Sequence, residues 1–428
     1  MSERVTSQRG DRGARAAHAQ GDLSGAPVVT GLGVIAATGL NAETYWKNIL
    51  DGRGGIGRVA RFDPAQYPSR LAGEIRDFDP AAHLPDRLLA QTDHVTRFSL
   101  TAAAQALADA GVDPAALGEY DMSVVTASSA GGFEFGQKEL EKLWSKGGDH
   151  VSAYQSFAWF YAVNTGQISI RHGIRGPSGV IVTDQAGGLD AVGQARRHLR
   201  AGTPLAVTGG VDGSLCPWGW IGQLATGQIS ERDDAARAYL PFDADANGWV
   251  PGEGGAILIV EQPDSAARRS APKVYGEISG YAATFDPAPG SGRPPGLRRA
   301  IELALADAGV GASDVDVVFA DAAGVPELDL AEAQALHGVF GPGRVPVTAP
   351  KTMTGRLAAG AGGLDLAMAL LSLRDQVIPP TINVGTLADG CADLDLVLDA
   401  PRPAPLRRAL VVARGLGGFN AAVVVTAP

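Results

Sequence analysis

Two short words each occur twice in this chain. ALADAGV stands at 106–112 and again at 304–310, and AGGLD stands at 186–190 and again at 361–365. The separations, 198 and 175 residues, are domain-sized, far longer than the period of a solenoid repeat. They predict one α/β unit used twice, with insertions in the first copy. Each ALADAGV closes a helical pattern with Gly at the stop position. Each is followed by a short acidic loop and an apolar strand, YDMSVVTASSAGG from Tyr120 and DVDVVFADAAGV from Asp314. Each AGGLD opens a helix that runs into a strand-like segment, PLAVTGG from Pro204 and TINVG from Thr381. The halves span 25–265 and 272–428, and the seam EQPDSAARRSAPKV joins them. Strands alternating with helices predict mixed, mostly parallel sheets covered on both faces. The segment AGGLDLAMALLSL from Ala361 is apolar all round, so it belongs between layers. The resulting expectation is an α/β protein built as a five-layer αβαβα sandwich of two duplicated halves.

Bulk properties narrow the function classes. The chain has 428 residues, 45% of them hydrophobic, and a formal net charge of −10. That balance argues against a non-specific nucleic-acid binder. No run reaches the ~18 apolar residues of a membrane span, and the start lacks the apolar stretch of a signal peptide. Two cysteines, Cys216 and Cys391, make neither a disulfide framework nor a metal site. A cytoplasmic protein is expected. Residues 1–24 are polar, aperiodic and rich in Gly, Ala and Arg, which predicts a disordered tail.

The chemistry should lie at GVIVTDQAGGLDAVGQARRHLRAG, residues 179–202. A β-branched run, a tight polar corner and a helical segment form a strand–turn–helix elbow, where enzymes hold a nucleophile at a helix N-terminus. The residue at this bend is Gln185, whose amide cannot attack a carbonyl.

The landmarks VVTGLGVIAATG (28–39), IRHGIRGPS (170–178), PFDADANGWVPGEGGAILIVE (241–261), KTMTGRLAAGAGG (351–363) and RGLGGFNAAVVV (414–425) together resemble the β-ketoacyl synthases, which have the thiolase-like sandwich. The resemblance implies a Cys at the elbow, a His eight residues before the Asp of a D-x-x-E pair, and a second His after the Gly of K-S-x-x-G-H. Here Asp329 and Glu332 keep the D-x-x-E pair and Lys351 is kept, but Gln185, Asp321 and Arg356 occupy the three reactive positions. Replacement of all three groups resembles the chain-length factors, the ketosynthase β-subunits of bacterial type II aromatic polyketide synthases. An acid at 321 and a base at 356 are expected to form a buried ion pair that plugs the site; two unrelated side chains are the other reading. Gln185 either lines the hollow with a local hydrogen bond or, as in Gln-bearing loading ketosynthases, supports decarboxylation of a malonyl thioester. Cys216 and Cys391 stand at no strand–helix elbow and are expected to be packing or loop cysteines, and His172 to be structural.

The family resemblance also implies a heterodimer with an active ketosynthase α-subunit, a tunnel for the growing chain at their interface, and delivery by an acyl carrier protein whose phosphopantetheine bears the chain. No cofactor is expected on this chain itself. In GGFEFGQKELEKLW, Phe133, Gly136 and Leu140 fall on one helix face and match the positions that gate tunnel depth. Gly136 has no side chain and Leu140 is smaller than Phe, which favours a product longer than an octaketide, such as a decaketide; ordinary core packing is the alternative. The aromatic run FAWFYAVNTG (157–166) suits either a subunit contact or the core, and Leu416 takes the gating Phe position of a G-F-G-G loop. The expected function is therefore a non-catalytic, chain-length-determining subunit. A malonyl-carrier-protein decarboxylase making the acetyl starter is the alternative.

Overall fold

The computed structural model describes residues 25–288 and 290–428; the expected tail at 1–24 lies outside them. Eleven strands form the main sheet: β1 (Val28–Ala36), β2 (Met122–Ala127), β3 (Ser178–Ile181), β4 (Leu205–Asp212), β5 (Gly254–Glu261), β6 (Gly276–Phe285), β7 (Val317–Phe319), β8 (Pro346–Thr348), β9 (Asp395–Leu396), β10 (Arg408–Gly415) and β11 (Phe419–Thr426). Their spatial order is β9-β8-β7-β10-β11-β6-β1-β5-β4-β2-β3. The first five strands run 3-2-4-5-1, and β8-β7-β10-β11-β6 repeats that order in the second half, with β9 added at its edge. The two copies meet where β1 pairs antiparallel with β6, Val28 opposite Glu277.

Eight helices matter to the argument: α1 (His94–Asp109), α2 (Phe133–Lys146), α3 (Val163–His172), α4 (Gly187–Arg200), α5 (Pro217–Leu224), α6 (Leu297–Ala308), α7 (Pro326–Phe340) and α8 (Gly360–Asp375). α1 packs on β1 and β5, and α6 on β6 and β11, as outer layers. α4 and α8 lie between the two halves of the sheet. Their buried residues form one apolar cluster with side chains from both halves. All residues of α8 from Gly360 to Leu373 are buried, as an apolar helix in a central layer must be. This is the thiolase-like sandwich.

The repeated words mark equivalent close approaches. A Cβ on Gly31 would lie 2.2 Å from the Ala106 carbonyl oxygen and 2.8 Å from the Ala110 Cβ; a Cβ on Gly280 would lie 2.2 Å from the Ala304 oxygen and 2.8 Å from the Ala308 Cβ. Strand glycine and helix alanine are therefore matched in both halves. Each helix also stops identically. Gly111 and Gly309 take φ of 63° and 67°, and the N–H of Val112 and of Val310 donates back to Leu107 and Leu305. The AGGLD copies face each other: a Cβ on Gly188 would sit 2.4 Å from the Gly363 nitrogen, and one on Gly362 2.9 Å from the Leu189 nitrogen.

Two expectations are corrected. The sheet is evenly mixed rather than mostly parallel: among the described residues β1–β5, β4–β5, β1–β6, β6–β11 and β10–β11 are antiparallel, while the outer pairs are parallel. Only β10–β11 is a direct hairpin; the other antiparallel pairs join strands distant in the chain, and strand-and-helix alternation does not reveal their direction. The counterpart of PLAVTGG is not TINVG but RALVVARG, since β4 and β10 hold equivalent places; Thr381 makes only an isolated bridge to Leu398.

Gly31→Ala and Gly280→Ala should each cost about 1–3 kcal/mol by overpacking against helix backbone. Gly166→Ala in α3, where a Cβ meets nothing within 4 Å, should be neutral or slightly stabilising. Denaturant unfolding of the three variants checks this.

Candidate functional site

The elbow is present. β3 ends at Ile181, a single turn covers Asp184–Ala186, and α4 begins at Gly187. The bend forces Asp184 into the left-handed region, φ 51°, and its carboxylate accepts the Leu416 N–H at 2.8 Å. A Cβ on Gly415 would lie 2.3 Å from the Thr183 oxygen, so glycine there lets the 415–418 loop close over the elbow. Gln185 is buried and lines a cavity of about 370 Å³ together with Phe133, Asp321, Arg356, Arg414 and Leu416. Among the described residues its amide makes no hydrogen bond to another side chain or to backbone, so the expected local bond is corrected: the amide faces the cavity.

Asp321 and Arg356 meet as a two-pronged pair. Arg356 Nη1 lies 3.1 Å from Asp321 Oδ2 and Nη2 lies 3.2 Å from Oδ1, with both side chains almost wholly buried. The guanidinium also donates to the carbonyls of Asp321 and Arg414, and it lies 5.3 Å from the Trp249 ring centre. Asp321 further accepts the Arg414 N–H at 2.9 Å. Burial opposes ionisation of Asp321, but the charges of Arg356 and then Lys351 outweigh it and hold the carboxyl below its ordinary value.

The retained residues support this pair. Lys351 donates to the carbonyls of Ala320 and Asp321 and sits 2.7 Å from Asp365. Glu332 accepts the N–H groups of Asp321 and Ala322, at 2.7 and 2.8 Å, and Asp329 those of Phe242 and Gly324. The D-x-x-E pair on α7 thus shapes the turn at 321–324, where Ala322 has φ 50°. Burial, then the charge of Glu332, pushes Asp329 up to about 8.

Of the predicted tunnel positions, Phe133 reaches the cavity and its ring packs on Trp218, 4.7 Å between centres. Gly136 faces Trp159 and Trp218 instead: a Cβ there would lie 3.3 Å from Trp159 Cβ and 3.4 Å from the Trp218 ring. Leu140 is half-buried on the same helix and does not line the cavity. Sequence reasoning did not single out Trp218, although its place at the start of α5 in SLCPWGW was a signal. The run at 157–166 divides: Ala158 and Val163 are buried, whereas Trp159, Phe160 and Tyr161 are exposed, and so is Val182 beside the edge strand β3. The core reading of those three aromatics is corrected.

Cys216 stands four residues after β4 and immediately ahead of α5, so the expectation that it stands at no strand–helix elbow is corrected. It is nonetheless buried, and burial pushes its thiol, like that of Cys391, up to about 11. Neither is a thiolate at neutral pH. His172 is held down at about 4 by burial and by Arg171, and it ends α3 away from the cavity.

A duplicated sandwich with a strand–turn–helix elbow at its centre defines the condensing-enzyme class of thiolase-like proteins. The β-ketoacyl synthase N-terminal domain matches residues 27–266 and the C-terminal domain residues 275–385. The chain belongs to the β-ketoacyl synthase family. It is 61% identical over 399 residues, 93% of this chain and 97% of the relative, to the tetracenomycin polyketide synthase ketoacyl synthase beta subunit of Streptomyces glaucescens. It is 60% identical to the actinorhodin polyketide putative beta-ketoacyl synthase 2 of Streptomyces coelicolor, covering 93% of this chain and 98% of that one. Among solved structures it is similar to the ishigamide ketosynthase/chain length factor, with TM-score 0.85, 28% identity and coverage of 94% and 99%. It is also similar to a type II ketosynthase in complex with its acyl-carrier protein, with TM-score 0.84, 27% identity and the same coverage. Among the described residues no helix is long and apolar enough to cross a membrane.

Removing one partner of the buried pair, as in Asp321→Ala or Arg356→Met, should destabilise by about 3–5 kcal/mol. The double variant Asp321→Leu/Arg356→Met should recover much of that loss in an unfolding cycle. The native carboxyl is lowered, so the pair's contribution is complete above the unfolded Asp value of ~3.9 and is lost as pH falls through the native value. Acid unfolding of the wild type and of the double variant should show that difference in slope.

Proposed function

We propose that this chain is the non-catalytic, chain-length-determining subunit of a type II polyketide synthase, paired with an active ketosynthase that receives malonyl units from an acyl carrier protein. One observation carries the reading: the three positions that would bear the nucleophile and the two enolate-stabilising donors hold Gln185, Asp321 and Arg356, and the last two are locked together. An amide cannot be acylated, and a guanidinium already bonded to a carboxylate and two carbonyls has no free donor pair for a developing enolate. The exposed aromatics at 159–161 and the edge strand β3 suit a large subunit contact. The similarity to a ketoacyl synthase beta subunit and to a ketosynthase/chain length factor supports the same assignment. The role calls for no cofactor of its own; the phosphopantetheine belongs to the carrier protein.

Product length is read by Phe133, Gly136 and Leu140. With Gly at 136, where even a Cβ would press on Trp159 and Trp218, no bulky side chain of α2 intrudes, and the proposed product is longer than an octaketide, a decaketide. The decaketide reading and the non-catalytic reading share one test, reconstitution with a cognate ketosynthase and carrier protein, with products weighed by mass spectrometry. Gly136→Phe should shorten the product and Phe133→Ala lengthen or diversify it, while unchanged masses would refute the length role. The cavity-facing amide of Gln185 favours one other reading, decarboxylation of malonyl-carrier protein. On the leading proposal the purified chain releases no more CO2 than its Gln185→Ala variant; a clear loss on that substitution would favour the decarboxylase.

A further inference from the structure

A buried charge cluster lies beneath the start of α2, outside the degenerate site. α2 opens on Gly131-Gly132 and has no side-chain cap of its own. A helix start without a cap leaves N–H groups unsatisfied. Here the cap comes from elsewhere. Asp93 caps α1 by accepting the Val95 N–H at 2.9 Å, and its other oxygen accepts the Phe135 N–H of α2 at 2.8 Å. One carboxylate therefore holds two helix starts, and Phe133 stands two residues from the bond. Glycine is required at the junction, since a Cβ on Gly132 would lie 2.0 Å from the Ala158 oxygen and 3.1 Å from the Asp93 Cβ.

His94 knits the cluster together. Its Nδ1 lies 2.8 Å from Glu134 and 3.0 Å from Asp93, and its Nε2 lies 3.1 Å from Glu253. Arg61 Nη2 lies 2.5 Å from Glu253, with Glu134 and Glu74 each 3.7 Å from the same guanidinium. Arg97, on the next turn of α1, donates to the carbonyls of Leu89 and Thr92, and Cys216 is a buried neutral thiol beside the group. With His94 neutral, the half-buried Arg61 and Arg97 would face the carboxylates of Asp93, Glu134, Glu253 and Glu74, with Lys138 and Arg76 at the rim. Both ring nitrogens lie within ion-pair distance of carboxylates, an arrangement that favours the doubly protonated ring. Burial disfavours that charge, but Asp93, Glu134 and Glu253 outweigh it and raise His94 well above its ordinary value.

We propose that the Asp93–His94 pair, clamped by Glu134, Glu253 and Arg61, is a positioning element that fixes the first turn of α2 and so sets where Phe133 and Gly136 stop the growing chain. This rests on the proposed length role of α2. The clamp acts through the helix and touches no substrate. Its pH behaviour follows from the raised His94: the contribution is complete below the ordinary His value and is lost as pH rises through the raised native value.

The test uses the reconstituted pair with its carrier protein, and reads the ratio of product lengths and the yield of the heterodimer. His94→Gln removes the charge, and Glu134→Gln weakens one arm of the clamp from a less buried position. Both should raise off-length products several-fold, with the heterodimer still recovered. His94→Arg, which restores a permanent cation, should return the ratio toward wild type. In the wild type, off-length products should rise on the alkaline side, whereas in His94→Gln the ratio should not change with pH. A merely structural role would lower all products together and leave the ratio fixed. A single product length in both glutamine variants, while Gly136→Phe still shortens the product, overturns the clamp and leaves the length role standing. If Gly136→Phe also changes nothing, the length role itself falls.

Discussion

The interior of this protein is organised by backbone-to-backbone contact between two helices. Where α4 and α8 cross, glycines at 188 and 362 bring main chains to a separation that even one methyl group would prevent, and Gly363 does the same against strands β4 and β5. Glycine costs a helix roughly 0.5–1 kcal/mol relative to alanine, so its presence in both central helices is set by the crossing. That crossing determines how far apart the two half-sheets lie, and hence where the elbow at the head of α4 sits relative to the turn at 321–324 and the segment at 351–356. The site is thus a product of the central layer.

Within that frame, Asp321 and Arg356 bind chiefly each other and nearby backbone. A guanidinium between a carboxylate, two carbonyls and an indole face has few donors left for another partner, and two further carboxylates, Asp329 and Glu332, spend their acceptors on backbone N–H groups. Buried ion pairs of this type often add little net stability, because desolvation offsets the attraction, but they are costly to break. On the proposed reading, their value here lies in shape: they fill the hollow where two imidazoles would stand and leave the remaining cavity running toward α2. A second charge cluster, around His94, lies at the other side of that helix. On the proposed readings α2 sets the product length, held between the Asp321–Arg356 pair and the His94 clamp as an element presenting a wall of fixed depth.

Much of this was legible in the chain. The repeated ALADAGV and AGGLD mark sites where the same glycine and alanine contacts are needed twice, and so they report the duplication directly. The elbow was legible because a β-branched run, a polar corner and a small-residue helix start have few other uses. Gln185 could be placed from the elbow itself, and Asp321 and Arg356 by counting from Asp329 and from Gly355. The antiparallel pairs were not legible, because strand direction depends on connections and on neighbours distant in sequence. The counterpart of PLAVTGG was misplaced because an insertion separates α8 from β10. Trp218 and His94 were missed because their roles come from residues distant in the chain, Phe133 for the one and Glu134 and Glu253 for the other.

The sequence by itself determined the duplicated α/β architecture, the elbow and the identity of the groups at its three reactive positions, since these depend on local pattern and residue chemistry. Only the tertiary structure decided that Asp321 and Arg356 grip each other with both prongs, that Trp159 and Trp218 close against Gly136, and that Asp93 caps a helix not its own. Ion pairs, caps and cavity walls between distant segments depend on distances of a few ångströms, and those distances are fixed by packing rather than by spacing along the chain.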